Sequence, residues 1–398
     1  MFKGLEAAPA DAILGLTEAY KADTNPQKIN LGVGIYKDDE GVTPVLKSVK
    51  QAEERLLTSE KTKSYLPING SPVYAGHVQA LIFGDESTVL ADNRARTVHT
   101  PGGTGALRMA ADLVVRLGAS RNVWVSDPTW ANHKGIFQAA GFEINTYPYY
   151  NAESKGVDFD RMLEGLAKVP AGDLVVLHVC CHNPTGVDLD VEQWKQVAET
   201  AAAQGWIPLL DFAYQGFASG LVEDRIAVEL LAGALEEFFV ASSFSKNFGL
   251  YRERTGALTV VAANACDADA MFSHLKKTIR VCYSNPPAHG GMIVETVLGD
   301  EGLRAAWVDE LASMRERIAG VRKTFVERLR ELGVPRDFSF IERQNGMFSF
   351  SALSPGQIQF LRDEKGIYIV KGGRINVAGI TSKNIEYLCA SIDEALKL

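Results

Sequence analysis

A chain of 398 residues, 46% apolar and 23% charged, is long enough for a large core and for two domains, and has the balance of a soluble globular protein. Its net charge of -8 argues against a nucleic-acid partner, which favours a basic face, but allows a local arginine pocket for small anions. Five cysteines (Cys180, Cys181, Cys266, Cys282, Cys389), an odd number with two adjacent, do not form a disulfide framework and fit a reducing cytoplasm.

The N-terminal stretch MFKGLEAAPADAILGL carries acidic residues and no long apolar run, so it does not read as a secretory signal. Residues up to about Val42, with Gly32 and Gly34, show no assignable pattern. From there apolar strands alternate with helices: a helix over 104–117, a strand over 122–126 and another over 174–179. A helix over 191–204 follows, then strands over 206–211, 238–242 and 257–262. This alternation predicts a three-layer α/β/α fold around a mostly parallel sheet. None of its apolar runs is long enough to span a bilayer. From Asp300 onward, Leu303, Trp307, Leu311, Met314, Ile318, Val321, Phe325, Leu329 and Leu332 recur every three or four residues. They mark one face of a long helix, capped by Asp300 and ended by Gly333 and Pro335, of a length that can bridge two domains. Beyond it, an Asn345-Gly346 turn, the runs MFSFS, IYIV and INVAG, and a last helix predict a smaller α+β domain.

Chemistry-bearing residues fall between these elements. In TPGGTGALR, Gly102, Gly103 and Thr104 stand between a strand-like run and a helix, where free N–H groups make a phosphate site or small residues make a tight turn. No Lys-Ser/Thr follows, which excludes a nucleotide P-loop. A dinucleotide fingerprint, with Asp127 after the next strand, lacks its final glycine. His178 and His182 invite a zinc reading. On a strand running into a turn they would not share a face, no second ligand cluster is evident, and no metal is expected. Asn183 opens an Asn-Pro-Thr-Gly turn directly after a strand. Asp211 ends WIPLLD with Tyr214 three residues later, and Lys246 lies in the Ser-rich loop after FFVAS. Alone, such an acid is as often a helix cap, and such a lysine is ordinarily solvated surface. Together, Gly103, Asn183, Asp211 and Lys246 all fall at strand ends, where ligands gather in open parallel sheets. They supply donors for a phosphate, a neutral hydrogen-bonder, an acid for a ring nitrogen and an amine for an imine, the set that pyridoxal phosphate requires.

With these residues in place, the sequence resembles the class I aspartate aminotransferases, fold type I of the pyridoxal-phosphate enzymes, over nearly its whole length. The motifs that carry the resemblance are NLGVGIYKD, TPGGTGALR, SDPTWANH, CCHNPTG, LDFAYQGF, SSFSKNFGLYRER, YSNPPAHG, QNGMFSFS and GGRINVAG, in this order. The resemblance implies an N-terminal arm over 1–12, a small domain over 13–43 plus 312–398, and a large cofactor-binding domain over 44–311. It implies Lys246 as the Schiff-base lysine, Asp211 on the pyridine nitrogen, Tyr214 and Asn183 on the ring oxygen, and Trp130 stacked on the ring. Gly103, Thr104, Ser243 and Arg254 would hold the phosphate, with Tyr65 of a neighbouring subunit in a homodimer. Arg374, beside the Gly34 backbone, would clamp the substrate's α-carboxylate, and Arg280 of the neighbour its side-chain carboxylate. His133 would support Asp211.

A fork-shaped guanidinium at each end suits a dicarboxylate. Lys37, Thr43, Thr104 and Asn285 look like the polar choices of aspartate-preferring members, whereas Ser64 and Lys371 depart from the usual pattern. The expected reaction moves the amino group of L-aspartate to 2-oxoglutarate in a ping-pong cycle, with aromatic amino acids as secondary substrates. An aromatic-preferring aminotransferase is the alternative. A lyase or decarboxylase using the same cofactor does not explain paired arginines. A nicotinamide dehydrogenase leaves Lys246, Asp211 and Asn183 unexplained, and a catalytically dead binding protein does not account for the full set.

Overall fold

The computed structural model describes residues 2, 4–7 and 14–398, so most of the expected arm over 1–12 lies outside the described residues. The chain forms two compact units, one of Pro44–Arg317 and one of Met1–Thr43 with Ile318–Leu398.

The larger unit is built on a seven-stranded sheet. In chain order its strands are β1 (Ala95–Pro101), β2 (Asn122–Asp127), β3 (Glu143–Pro148), β4 (Leu174–His178), β5 (Ile207–Phe212), β6 (Phe238–Ser243) and β7 (Thr255–Val261). Across the sheet they run β1-β7-β6-β5-β4-β2-β3. From β6 to β3 every pairing is parallel, and β7 alone is reversed between β6 and β1. Strands β4, β6 and β7 are buried at every position, the consequence of helices on both faces, and this is why they read as unbroken apolar runs. The five expected strands are present with ends shifted by a residue or two.

Strands β1 and β3 carry no such run. In β1 (ARTVHTP) polar residues interrupt the apolar pattern, and the Thr97 hydroxyl meets that of Thr259 at 2.8 Å, across the β1–β7 pairing. Strand β3 is a partly exposed edge, with a mixed sequence to match. The helix Gly102–Arg116 packs Ala106, Leu107, Ala110, Leu113 and Val114 into a core with Val98, Val125, Val176, Leu209 and Leu258 from the strands.

Because β1, β4, β5 and β6 run the same way, their C-terminal ends share one edge of the sheet. The segments that leave that edge carry Gly102, Asn183, Tyr214 and Lys246.

In the smaller unit, Ile29–Asn30 pairs in parallel with Ile367–Tyr368, and Phe348–Phe350 pairs antiparallel with Arg374–Asn376. INVAG, expected as a strand, leaves the sheet after Asn376 and turns through a short 3-10 segment, Val377–Gly379. The helices Pro355–Lys365 and Ile385–Leu396 complete it.

The long helix is Glu301–Glu331, about 46 Å at 1.5 Å per residue. Asp300 Oδ1 accepts the Leu303 N–H at 2.9 Å, as its expected cap role requires. At the other end Gly333 takes φ 69°, and the N–H groups of Gly333 and Val334 return to the carbonyls of Arg330 and Leu329. Of its expected apolar face, Leu303, Trp307, Leu311, Met314, Ile318, Phe325 and Leu329 are buried. Leu332 is half exposed, and Val326 is buried in addition. No helix among the described residues is long and apolar enough to cross a membrane.

Candidate active site

Asp211, near the end of β5, is 7% exposed. Its Oδ2 accepts a hydrogen bond from His133 Nε2 at 3.1 Å, and His178 Nδ1 lies 3.7 Å away. Thr129 joins the two imidazoles, its hydroxyl 2.8 Å from His133 Nδ1 and 3.3 Å from His178 Nε2. Burial alone would push the Asp211 carboxyl up. The His133 hydrogen bond, with the fields of His133, His178 and Lys246, outweighs it and holds the acid below its ordinary value. Burial lowers His178 to about 3, keeping that ring neutral. A fixed, ionised acid therefore sits at the C-terminal edge of the sheet.

This geometry corrects one step of the sequence reading. His178 and His182 do approach one another, ring centroids 4.4 Å apart, because the chain folds back at the Asn183 turn rather than through a helical face. The His182 ring stacks on Tyr149 at 3.9 Å and meets the hydroxyls of Ser126 and Thr185 at 3.0 and 2.8 Å. His133, His178 and Asp211 are close enough to hold a metal ion by spacing. The contacts that join them are an acid-to-imidazole bond and two bridges through Thr129. Asn183, 6% exposed, begins the turn in which the Gly186 N–H returns to His182 O at 2.7 Å. Trp130 stands just before the helix Ala131–Ala139, its ring edge-on to His133 at 5.3 Å.

Lys246 is half-buried in the loop after β6, its Nζ 5.4 Å from the centroid of the Tyr214 ring. Asn247 ties this loop to the next: its Nδ2 donates to Gln215 O at 3.3 Å, and its own carbonyl accepts Trp307 Nε1 at 2.8 Å.

A cradle forms where Gly102 and Gly103 open the helix Gly102–Arg116. Gly102 has φ 74°, and a Cβ there would lie 2.5 Å from an Arg254 guanidinium nitrogen; one on Gly103 would lie 3.2 Å from Ser243 Cβ. Only glycine lets the backbone N–H groups, the Ser243 hydroxyl and the Arg254 cation converge. Thr104 is in the first turn of the same helix. Ser245 belongs here as well: its hydroxyl accepts from Arg254 at 3.5 Å, and its N–H donates to Ser243 Oγ at 3.3 Å. The sequence reading passed over Ser245; the spacing of two in SSFS was the available signal.

The remaining expected residues each have contacts within their own unit. In the smaller unit Arg374 is 5% exposed, donates to Gly32 O at 2.6 Å and stacks on Phe348 at 4.3 Å. Gly34 faces the same ring, where a Cβ would come within 2.9 Å. Asn376 Nδ2 holds the carbonyls of Val33 and Ile35. Lys37 is half-buried and lowered by that burial, the Thr43 hydroxyl donates to Tyr36 O, and Lys371 is exposed in the turn before Arg374. In the larger unit Tyr65 is 90% exposed and Arg280 is exposed, bonded to Ser284. Asn285 Nδ2 donates to Leu66 O at 3.1 Å, tying the segments that carry them. Ser64 is exposed and bonded to Thr62.

Comparison with known proteins follows this geometry. The family model described as aminotransferase class I and II matches residues 26–392. An aspartate aminotransferase of Salmonella typhi is 54% identical over 98% of this chain and 99% of its own. One of Haemophilus influenzae is 54% identical over the full length of both. Among solved structures, the aromatic-amino-acid aminotransferase of Burkholderia pseudomallei, covalently bound to pyridoxal phosphate, superposes with a TM-score of 0.97. Its identity is 48%, and 100% of this chain and 99% of that one are covered. An acid held between two histidines, a lysine over a tyrosine ring and a glycine cradle beside an arginine thus occur in a chain that matches one family from end to end: it belongs to the class I and II aminotransferases.

Proposed function

We propose that this enzyme transfers the amino group of L-aspartate to 2-oxoglutarate, using pyridoxal 5'-phosphate carried on Lys246. The observation that carries the reading is the ionised Asp211, held by His133 and His178 on the strand next to the Lys246 loop. The residues fit the cofactor. A Cβ on Gly102 or Gly103 would intrude on the cradle beside Ser243, Ser245 and Arg254, a donor set suited to a phosphate dianion. When bound, the group supplies a protonated, electron-accepting ring that takes up the electron pair left at the substrate α-carbon.

This chain's residues do the rest. Asp211 holds a proton on the ring nitrogen by remaining an anion. Tyr214 and Asn183 would donate to the ring oxygen, and Trp130 would lie against the ring. Lys246 Nζ would carry the proton away from and back to the substrate α-carbon. Arg374 is assigned to the substrate α-carboxylate, beside the Gly34 backbone. Arg280 and Tyr65 are assigned to the active site of a second copy in a homodimer. Their exposure, with that of Leu57 and Val281, supports this. We take the small domain as 13–43 plus 312–398 and the large one as 44–311, and place the enzyme in the cytoplasm, which five cysteines, an odd number with two adjacent, suit.

Aromatic amino acids are the second reading, favoured by the 48% identity to the aromatic-amino-acid enzyme. Steady-state kcat/KM for aspartate, glutamate, tyrosine and phenylalanine separates the two; we expect aspartate to lead, and a tenfold lead of tyrosine would reverse the assignment. Borohydride reduction of the loaded enzyme should leave the pyridoxyl label on Lys246, and label on another residue would remove its role.

A further inference from the structure

Tyr214 opens a tight turn. The Phe217 N–H donates to Tyr214 O at 3.0 Å, and Gly216 at φ 92° supplies the left-handed residue that such a turn takes at its third position. The chain beyond closes around one carboxylate, that of Asp224, 5% exposed. Its Oδ2 accepts the N–H groups of Gly216 at 2.8 Å and Ala218 at 3.1 Å; its Oδ1 accepts those of Ser219 at 2.8 Å and Gly220 at 3.2 Å. The Cys180 thiol, in the segment leading to Asn183, reaches Oδ2 at 3.9 Å. Within the same turn, the Gln215 amide donates to Leu81 O and Leu221 O, and Gln215 O accepts from Asn247, next to Lys246. Four backbone donors on one buried anion fix five consecutive residues, and the first of them is the left-handed glycine of the Tyr214 turn.

We propose that Asp224 is a positioning residue for the amino transfer: by anchoring Gly216–Gly220 it sets where the Tyr214 phenol meets the group carried on Lys246. The proposal rests on the cofactor reading above. The Asp224 carboxylate is taken up by four backbone N–H groups and a thiol, so its influence on the reaction would pass through the phenol, and that distinguishes it from a residue that merely stabilises the fold.

Asp224→Asn tests it, because an amide accepts at one corner only and turns an NH2 towards two N–H donors at the other. Asp173→Asn is the control. That carboxylate is 3% exposed and bonded to Ser120, Asn122 and Trp124, but it stands just before β4, at the opposite edge of the sheet. Each variant is loaded with pyridoxal phosphate, and two quantities are read: the pH midpoint of the cofactor's visible absorbance change, and the thermal midpoint. A displaced phenol stabilises the ring-oxygen anion less, so D224N should raise the spectral midpoint by roughly half to one pH unit. D173N should lower only the thermal midpoint. In a Tyr214→Phe background, where the hydroxyl is already gone, the D224N shift should vanish.

An unmoved spectral midpoint in D224N, or a shift that persists undiminished with Phe at 214, overturns the proposal while leaving the cofactor reading intact. Wild-type protein that acquires no visible band with pyridoxal phosphate overturns both. Should D224N fail to fold, Asp224→Glu keeps the charge but displaces it by a methylene. The same upward shift is then expected, and its absence overturns the proposal.

Discussion

At the scale of single residues, the site depends on groups whose protonation is fixed by burial and by their neighbours. Asp211 stays an anion inside the protein because two imidazoles and a lysine surround it. His178 stays neutral because burial outweighs the attraction of that anion. If Lys246 Nζ is the proton carrier, Lys246→Ala should reduce kcat by at least the 10²–10⁴-fold typical of general acid–base catalysis, with the circular dichroism of the wild type retained. Substantial turnover by the variant would refute that role. For Arg280→Ala we expect a heavy loss of kcat/KM with aspartate and a far smaller one with phenylalanine; equal losses would show that Arg280 does not read the distal carboxylate. Gly102→Ala forces both a left-handed φ and a Cβ within 2.5 Å of Arg254. It should weaken retention of pyridoxal phosphate, measured by dialysis and absorbance, at least tenfold, about 1.4 kcal/mol.

At the scale of elements, the strong signals in the sequence are those with a local physical cause. Strands β4 to β7 are buried at nearly every position and therefore carry apolar runs. The long helix announces itself by its face and its two caps. Asp300→Ala should cost about 1 kcal/mol as a lost N-cap. Gly333→Ala should cost about 1–2 kcal/mol, since φ 69° is left-handed while nothing obstructs the new methyl. Both follow from urea unfolding at pH 7, and the order of effects reverses if strain at Gly333 is relieved by fraying. Strand β3 escaped the sequence reading because it is a partly exposed edge, and β1 read only as a strand-like run before Gly102 because polar residues such as Thr97, paired with Thr259, interrupt its apolar positions. INVAG ends as a strand early because Asn376 turns its side chain back onto Ala378 N, an arrangement that apolar patterning does not reveal.

At the scale of the whole molecule, three buried histidines make stability depend on pH. Burial lowers His99 to about 4 and His178 to about 3, and holds His182 well below its ordinary value of 6.5. Below pH 6.5 the unfolded chain takes up protons that the folded chain does not, so stability is complete above that value and falls with the pH. The limiting slope is about 1.4 kcal/mol per pH unit for each histidine. Urea unfolding followed by tryptophan fluorescence between pH 7 and 5 should show this decline, and His99→Asn should reduce its slope by roughly one histidine's share. A flat profile would show that the three rings take up protons as readily in the folded protein as in the unfolded chain.

What the sequence determined by itself was the alternation that makes an α/β sheet, the long helix and the strand-end placement of Gly103, Asn183, Asp211 and Lys246. Periodicity and turn chemistry are local, and every motif there announces its own position. Which groups those residues would meet was decided only by the tertiary structure. His178, read as a weak metal ligand, stands beside Asp211 because β4 and β5 pair in register at His178 and Asp211. Ser245 joins the glycine cradle, and Asp224 gathers four backbone donors, through folded loops that leave no periodic trace. Hydrogen bonds between segments far apart in the chain require a fixed geometry, and that geometry exists only once the sheet has brought the loops to one edge.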